Sequence, residues 1–189
     1  YLNLPDCASG GTFSYPAGSK HGPPSIPAGS TTTARFQCSV PKSATTPGAS
    51  RPSLYGHGLL GSRGEVNQGQ LRDFALEHNF IFCATDWIGM SCSDLPDTDP
   101  SPEAVASFLE KASRNQLPNC DYQTVVTILE DMSNFPKLAD RVQQGLVNFL
   151  YLGRLMVHPD GFSKDPNFQK DGQSVIVSVA RENRPGLVT

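Results

Sequence analysis

The stretch Leu54-Tyr55-Gly56-His57-Gly58-Leu59-Leu60-Gly61-Ser62 limits what this chain can fold into more than any other. The short apolar run that opens it reads as a buried strand, and the small residues behind it read as a turn. Gly56, Gly58 and Gly61 let the backbone turn sharply and come close to a second group. A helix-like stretch begins at Glu65, so the loop lies between strand and helix, the junction at which open α/β sheets place ligands. Amide N–H groups of such a loop can hold the negative oxygen that forms when an acyl carbonyl is attacked. One such donor is worth about 3–4 kcal/mol of barrier. The plain alternative is an ordinary glycine-rich turn between a strand and a helix.

Residues downstream of the loop extend the pattern. Leu71, Phe74 and Ala75 recur at helical spacing between Glu65 and His78, and Phe80-Ile81-Phe82-Cys83-Ala84 is apolar on both faces, as a central parallel strand is. Strand, loop, helix, strand makes a βαβ unit with a right-handed crossover. The strand runs into Thr85-Asp86-Trp87-Ile88-Gly89-Met90-Ser91. A carboxylate at a strand end, as at Asp86, commonly accepts backbone N–H bonds. Trp87 reads as a packing residue whose indole N–H needs a partner if it is buried.

His57-Gly58-Leu59-Leu60-Gly61 resembles the HG-x-x-G oxyanion loop of lipases and esterases with the α/β-hydrolase fold. Together with the Asp86-Trp87-x-Gly89-x-Ser91 strand end and the run Phe135 to Gly145, it is similar to a group of secreted bacterial α/β-hydrolases. The resemblance covers residues 34–172. It implies that the Leu59 N–H is the oxyanion donor, that His57 and Gly58 support the loop, and that Asp86 and Trp87 stand at the rim of a substrate cleft. It also implies a small acyl-ester or lipid-like substrate and no cofactor.

The remaining serines and histidines fit a nucleophile role poorly. Gly89-Met90-Ser91-Cys92-Ser93 comes after a buried strand as a nucleophile elbow does, but Ser93 stands where a second glycine is needed. The proline-rich stretch behind it, residues 94–102, cannot start a helix at the serine. His158 falls just past a long helix, where a histidine ordinarily interacts with the helix dipole. In the hydrolase chain order the histidine also comes after the nucleophile. The strand Ser174–Val179 is where that pattern requires Gly-x-Ser-x-Gly, and the sequence instead reads Ala180-Arg181-Glu182-Asn183. The expectation is therefore a catalytically incomplete fragment with no nucleophile of its own. The competing expectation is a non-catalytic binding or interaction module on the same scaffold.

Three further helices are expected: from Pro102 to about Asn115 behind a Ser101 cap, from Tyr122 to Met132, and from Lys137 to Val157. In the last, Leu138, Val142, Leu146, Phe149, Leu150 and Gly153 are expected to pack, Gly145 and Gly153 to permit close approach, and Asp140, Arg141, Gln143, Gln144 and Asn148 to face outward. A strand is expected over Ala34–Val40, with Ala34, Phe36, Cys38 and Val40 on its core face. Residues 1–33, rich in Gly, Pro, Ser and Thr, read as an irregular arm, and residues 34–189 as a partial α/β-hydrolase domain. The fold class expected is α/β: the N-terminal half of an α/β-hydrolase, a mostly parallel sheet with flanking helices.

Charge and cysteine content narrow the partners. A net charge of -3 leaves no basic footprint for nucleic acid. No apolar run approaches the roughly 20 residues of a membrane span. The acidic run Asp94, Asp97, Asp99 lacks the glycine and terminal glutamate of a calcium loop, and the five cysteines lack zinc spacing, so no metal is expected. The cysteines suit a secreted protein with disulfides, its signal peptide absent from this sequence. Cys7–Cys38 and Cys92–Cys120 are the expected bridges, with Cys83 a buried free thiol. A strand edge left at Val179 could pair with a second copy.

Overall fold

The computed structural model describes Phe13 and residues 33–93, 101–114, 116 and 120–177. Its centre is β3 (Phe80–Thr85), in which five of six residues are buried. Antiparallel β1 (Phe36–Ser39) pairs with it on one side and parallel β2 (Arg51–Leu54) on the other, giving the order β1-β3-β2. Alternation along β3 sends side chains to both faces. Ile81 and Cys83 join Leu152, Met156, Phe162, Phe168, Val175 and Ile176 in one core cluster. Phe82 and Ala84 join Val66 and Ala75 in the other. The first cluster lies under α4 (Phe135–Val157), the second under α1 (Gly69–His78) and the 3-10 turn Arg63–Asn67.

Local chemistry accounts for the element ends. Asn79 caps α1 in the left-handed conformation (φ 54°), which Asn tolerates better than most residues. Its side-chain oxygen accepts from the Ser50 hydroxyl at 2.9 Å and its carbonyl from Arg51 N–H at 2.9 Å, so one residue ends the helix and aligns β2. Ser101 caps α2 (Pro102–Ser113), accepting from the Ala104 N–H at 3.3 Å, with Pro102 in the first turn. No α2 residue is buried: on its apolar face Val105 and Leu109 are exposed and Phe108 and Ala112 half-buried. Helix α3 (Tyr122–Glu130) leads through Met132–Asn134 into α4.

The sheet corrects the expected architecture. In place of a mostly parallel half-hydrolase sheet, the described residues form a three-stranded mixed sheet with one of its two ladders antiparallel. A separate antiparallel ribbon joins β4 (Gln169–Lys170) to β5 (Gln173–Ser174), and helix predominates. The run expected as a strand from Ser174 explains part of the difference. It gives Ser174 to the ribbon, and Ile176 then makes only an isolated parallel bridge to Ser50. Ser178, Val179 and the edge expected there lie outside the described residues, as do Cys7, Asp94, Asp97, Asp99 and all of residues 1–33 except Phe13 and Thr33.

The cysteine assignment changes too. Cys38 is bonded to Cys83, its direct partner in the β1–β3 register, so Cys83 is not a free thiol and Cys38 is not available to Cys7. Cys92 is bonded to Cys120, as the sequence led us to expect. Two disulfides suit an oxidising compartment. No described helix is long and apolar enough to cross a membrane.

Helix α4 is rotated about its axis relative to the sequence-based expectation. Arg141, Gln144 and Asn148, expected outside, are buried with Gly145, Leu152 and Met156, whereas Leu146 and Leu150 are 43% and 61% exposed. Spacings of i, i+3, i+4, i+7, i+11 and i+15 from Arg141 define the buried stripe, about one residue's turn from the expected one. A close approach fixes it. A Cβ on Gly145 would overlap the Trp87 ring and lie 2.8 Å from the Ile88 nitrogen, so only glycine lets the helix sit here.

Candidate functional site

The glycine loop leaves β2 with the ladder still running, as Tyr55 N–H donates to Cys83 C=O at 2.8 Å. His57 then turns inward and is 6% exposed. Its Nε2 accepts from the Trp87 N–H at 2.8 Å, which places the ring proton on Nδ1, 2.7 Å from the Gly58 carbonyl. Both ring nitrogens are thereby engaged in tying the loop to the end of β3. Leu60, at φ 56°, donates its N–H to Met90 C=O at 2.7 Å. Gly61 bridges to Ser91, donating to Gly58 C=O at 2.9 Å and accepting from Cys92 N–H at 2.9 Å.

Between these ties stands Leu59, 77% exposed. Its amide N–H has no partner among the described residues. The position that must be glycine is Gly61. A Cβ there would overlap the Glu65 carboxylate and come within 3.0 Å of His57 Cβ and 3.1 Å of the Gly58 oxygen, whereas one on Gly58 would meet nothing within 4 Å. Gly58 supports the loop through its carbonyl, which accepts from both His57 and Gly61. We expect Gly61→Ala to lower stability by about 1–3 kcal/mol and Gly58→Ala to stay within about 0.5 kcal/mol of the parent. Urea unfolding midpoints of the two variants check this. The Glu65 carboxylate is held by Tyr55, whose hydroxyl donates to it at 2.9 Å. Burial, with that bond and the nearby negative charge, raises the Tyr55 pKa above its ordinary value.

Asp86 and Trp87 are occupied by the fold. Asp86 accepts from the Arg63 N–H at 2.9 Å and pairs with the Arg63 guanidinium, which also reaches Ser93 Oγ at 3.1 Å. This clamp joins the strand end to the 3-10 turn behind the loop. Trp87 stacks on Phe149 with ring centroids 5.8 Å apart, and its indole N–H donates to Val142 C=O at 2.9 Å. It is an anchor for α4.

Ser91 belongs to a buried polar cluster that sequence reasoning missed. The Asp121 carboxylate accepts from Gly89 N–H at 2.8 Å, from Ser91 N–H at 3.0 Å and from the Ser91 hydroxyl at 3.0 Å. Its other oxygen pairs with the buried Arg141 guanidinium. A serine hydroxyl donating directly to a carboxylate, and 6% exposed, lacks both the imidazole base and the access of a nucleophile. The signal in the sequence was Arg141 itself, a charge on the stripe next to the one that apolar spacing favours. His158 closes α4, its N–H donating to Arg154 C=O and its Nδ1 accepting from the Asp160 N–H. Among the described residues no group of three or more His, Cys, Asp or Glu could hold a metal ion.

The loop is thus pinned on both sides, and the Leu59 N–H is among its amides without a partner, beside a serine and a histidine already in use. A scan against protein-family models, a search of curated proteins and a search of solved structures each found no match to this chain.

Proposed function

We propose that the glycine loop is the acyl-oxygen site of a secreted serine ester hydrolase system, with the Leu59 N–H as donor and no nucleophile supplied by the described residues. The observation that carries this reading is the unpartnered amide of Leu59, an exposed residue in a turn held by His57, Leu60 and Gly61. A donor fixed before the ligand arrives needs no reorganisation to meet developing negative charge. The likeness of His57-Gly58-Leu59-Leu60-Gly61 to esterase oxyanion loops supports the same assignment. The engagement of Ser91 by Asp121, and of both His57 nitrogens by backbone, supports binding without turnover. Two disulfides support an extracellular setting.

The test is a titration of the 15N-labelled chain with ethylphosphonate, an anionic stand-in for the attacked acyl group. The Leu59 amide proton is expected to move downfield and saturate, while the Leu60 amide, already bonded to Met90, moves little. A Leu59 amide that stays in place while other resonances shift would contradict the assignment.

A further inference from the structure

A cavity of about 550 Å³ lies between the start of β1 and the last four turns of α4, and none of its described lining residues belongs to the glycine loop. That volume falls within the usual range of small-molecule sites. Gln144, Val147, Tyr151, Leu155 and His158 follow one another at spacings of three or four, so one face of α4 makes a long wall. At the rise of an α-helix that wall is about 21 Å long. Val147, Leu152 and Leu155 make it mostly apolar, and Ala34 and Phe36 add apolar surface from the β1 side.

Charge in the described lining has one sign. It holds Arg154 and His158 and no aspartate or glutamate. Arg154 is exposed and pairs with no carboxylate among the described residues. A cation in the last turn of a helix is ordinarily explained by the helix dipole, and the cavity gives this one a second use. His158 is half-buried, and its Nδ1 accepts from the Asp160 N–H at 3.1 Å, which places the ring proton on Nε2. An apolar wall that ends at a cation and carries no carboxylate is complementary to an anion on a hydrocarbon chain. An alcohol of the same length fills the wall equally well and leaves the charge to water.

We propose that this cavity binds a free aliphatic carboxylate, its hydrocarbon chain along α4 and its head at Arg154, with His158 Nε2–H as a second donor. The site shares no residue with the Leu59 loop, so either assignment can fail without the other. The apolar wall takes the tail and Arg154 selects the head, which makes the preference for carboxylate over alcohol the signature of the site.

The experiment titrates the 15N-labelled, disulfide-bonded chain with octanoate and, in parallel, with octan-1-ol, and follows the backbone amides. Octanoate is expected to shift the amides of Val147, Tyr151 and Leu155 saturably and to bind about tenfold more tightly than the alcohol, about 1.4 kcal/mol. Arg154→Gln is expected to bring octanoate down to the affinity of octan-1-ol while leaving alcohol binding in place. Equal affinities of the parent chain for the two probes, or an octanoate affinity that survives Arg154→Gln, would overturn the proposal. So would octanoate shifts confined to residues outside the cavity, those of the Leu59 loop included. Should Arg154→Gln fail to fold, the parent chain's two titrations decide alone.

Discussion

Replacing Asp121 with alanine is expected to lower the stability of this protein by about 3–5 kcal/mol, because it breaks a buried ion pair by removing the Asp121 carboxylate from the Arg141 guanidinium. The same change removes the acceptor for Gly89 N–H, Ser91 N–H and the Ser91 hydroxyl. Three segments meet at that carboxylate: the turn after β3, the N-terminus of α3 and the first half of α4. Its loss should therefore loosen all three together. Ser91→Ala removes only one hydroxyl donor and should cost about 1 kcal/mol. Urea denaturation of the parent and both variants checks the ranking. A Ser91→Ala loss as large as that of Asp121→Ala would mean that the serine, rather than the ion pair, organises the cluster.

Removing the Cys38–Cys83 bridge is the second change expected to be large. The two residues are 45 apart in sequence, and closing a loop of that length contributes about 4 kcal/mol in the chain-entropy model. The bridge also ties antiparallel β1 to the central strand at the position where the two cysteines face each other in register. The double variant Cys38→Ala, Cys83→Ala should unfold at a markedly lower urea concentration than the parent. Non-reducing peptide mapping of the parent should recover Cys38 joined to Cys83 and Cys92 joined to Cys120. Recovery of Cys38 joined to Cys7 would contradict the pairing.

Much of the helical structure and the central strand was legible in the sequence because their signals are local. Ser101-Pro102-Glu103 marks a helix start by its own chemistry, and Phe80–Ala84 is too apolar to lie anywhere but between two layers. The rotation of α4 was not legible. Its amphipathic pattern offers two neighbouring stripes, and the choice is made by tertiary contacts of Arg141 with Asp121 and of Gly145 with Trp87. The disulfide partner of Cys38 was hidden for a similar reason. Cys83 sits inside an apolar run and reads as a small buried hydrophobe until the β1–β3 register places Cys38 opposite it.

The sheet was over-read for a different reason. An apolar run such as Ser174-Val175-Ile176-Val177 has strand propensity in any context, but how much of it pairs depends on neighbours. Here the ribbon takes Ser174 and only Ile176 bridges to Ser50. The glycine loop shows the limit of motif reading at the level of single residues. His57 anchors the loop, and the Leu59 amide is left without a partner. The steric demand, however, falls on Gly61 and not on Gly58, because the His57 Cβ, the Gly58 carbonyl and the Glu65 carboxylate all fold against Gly61.

Intact-mass measurement after treatment with a fluorophosphonate tests the proposal that the chain carries an oxyanion donor at Leu59 without a working nucleophile. The probe reports any serine activated by a base, whatever ester the system acts on. No adduct is expected on the parent chain beyond the trace seen with Ser91→Ala. A near-stoichiometric mass increase that maps to Ser91 and vanishes in Ser91→Ala, or one that maps to any other serine, would contradict it.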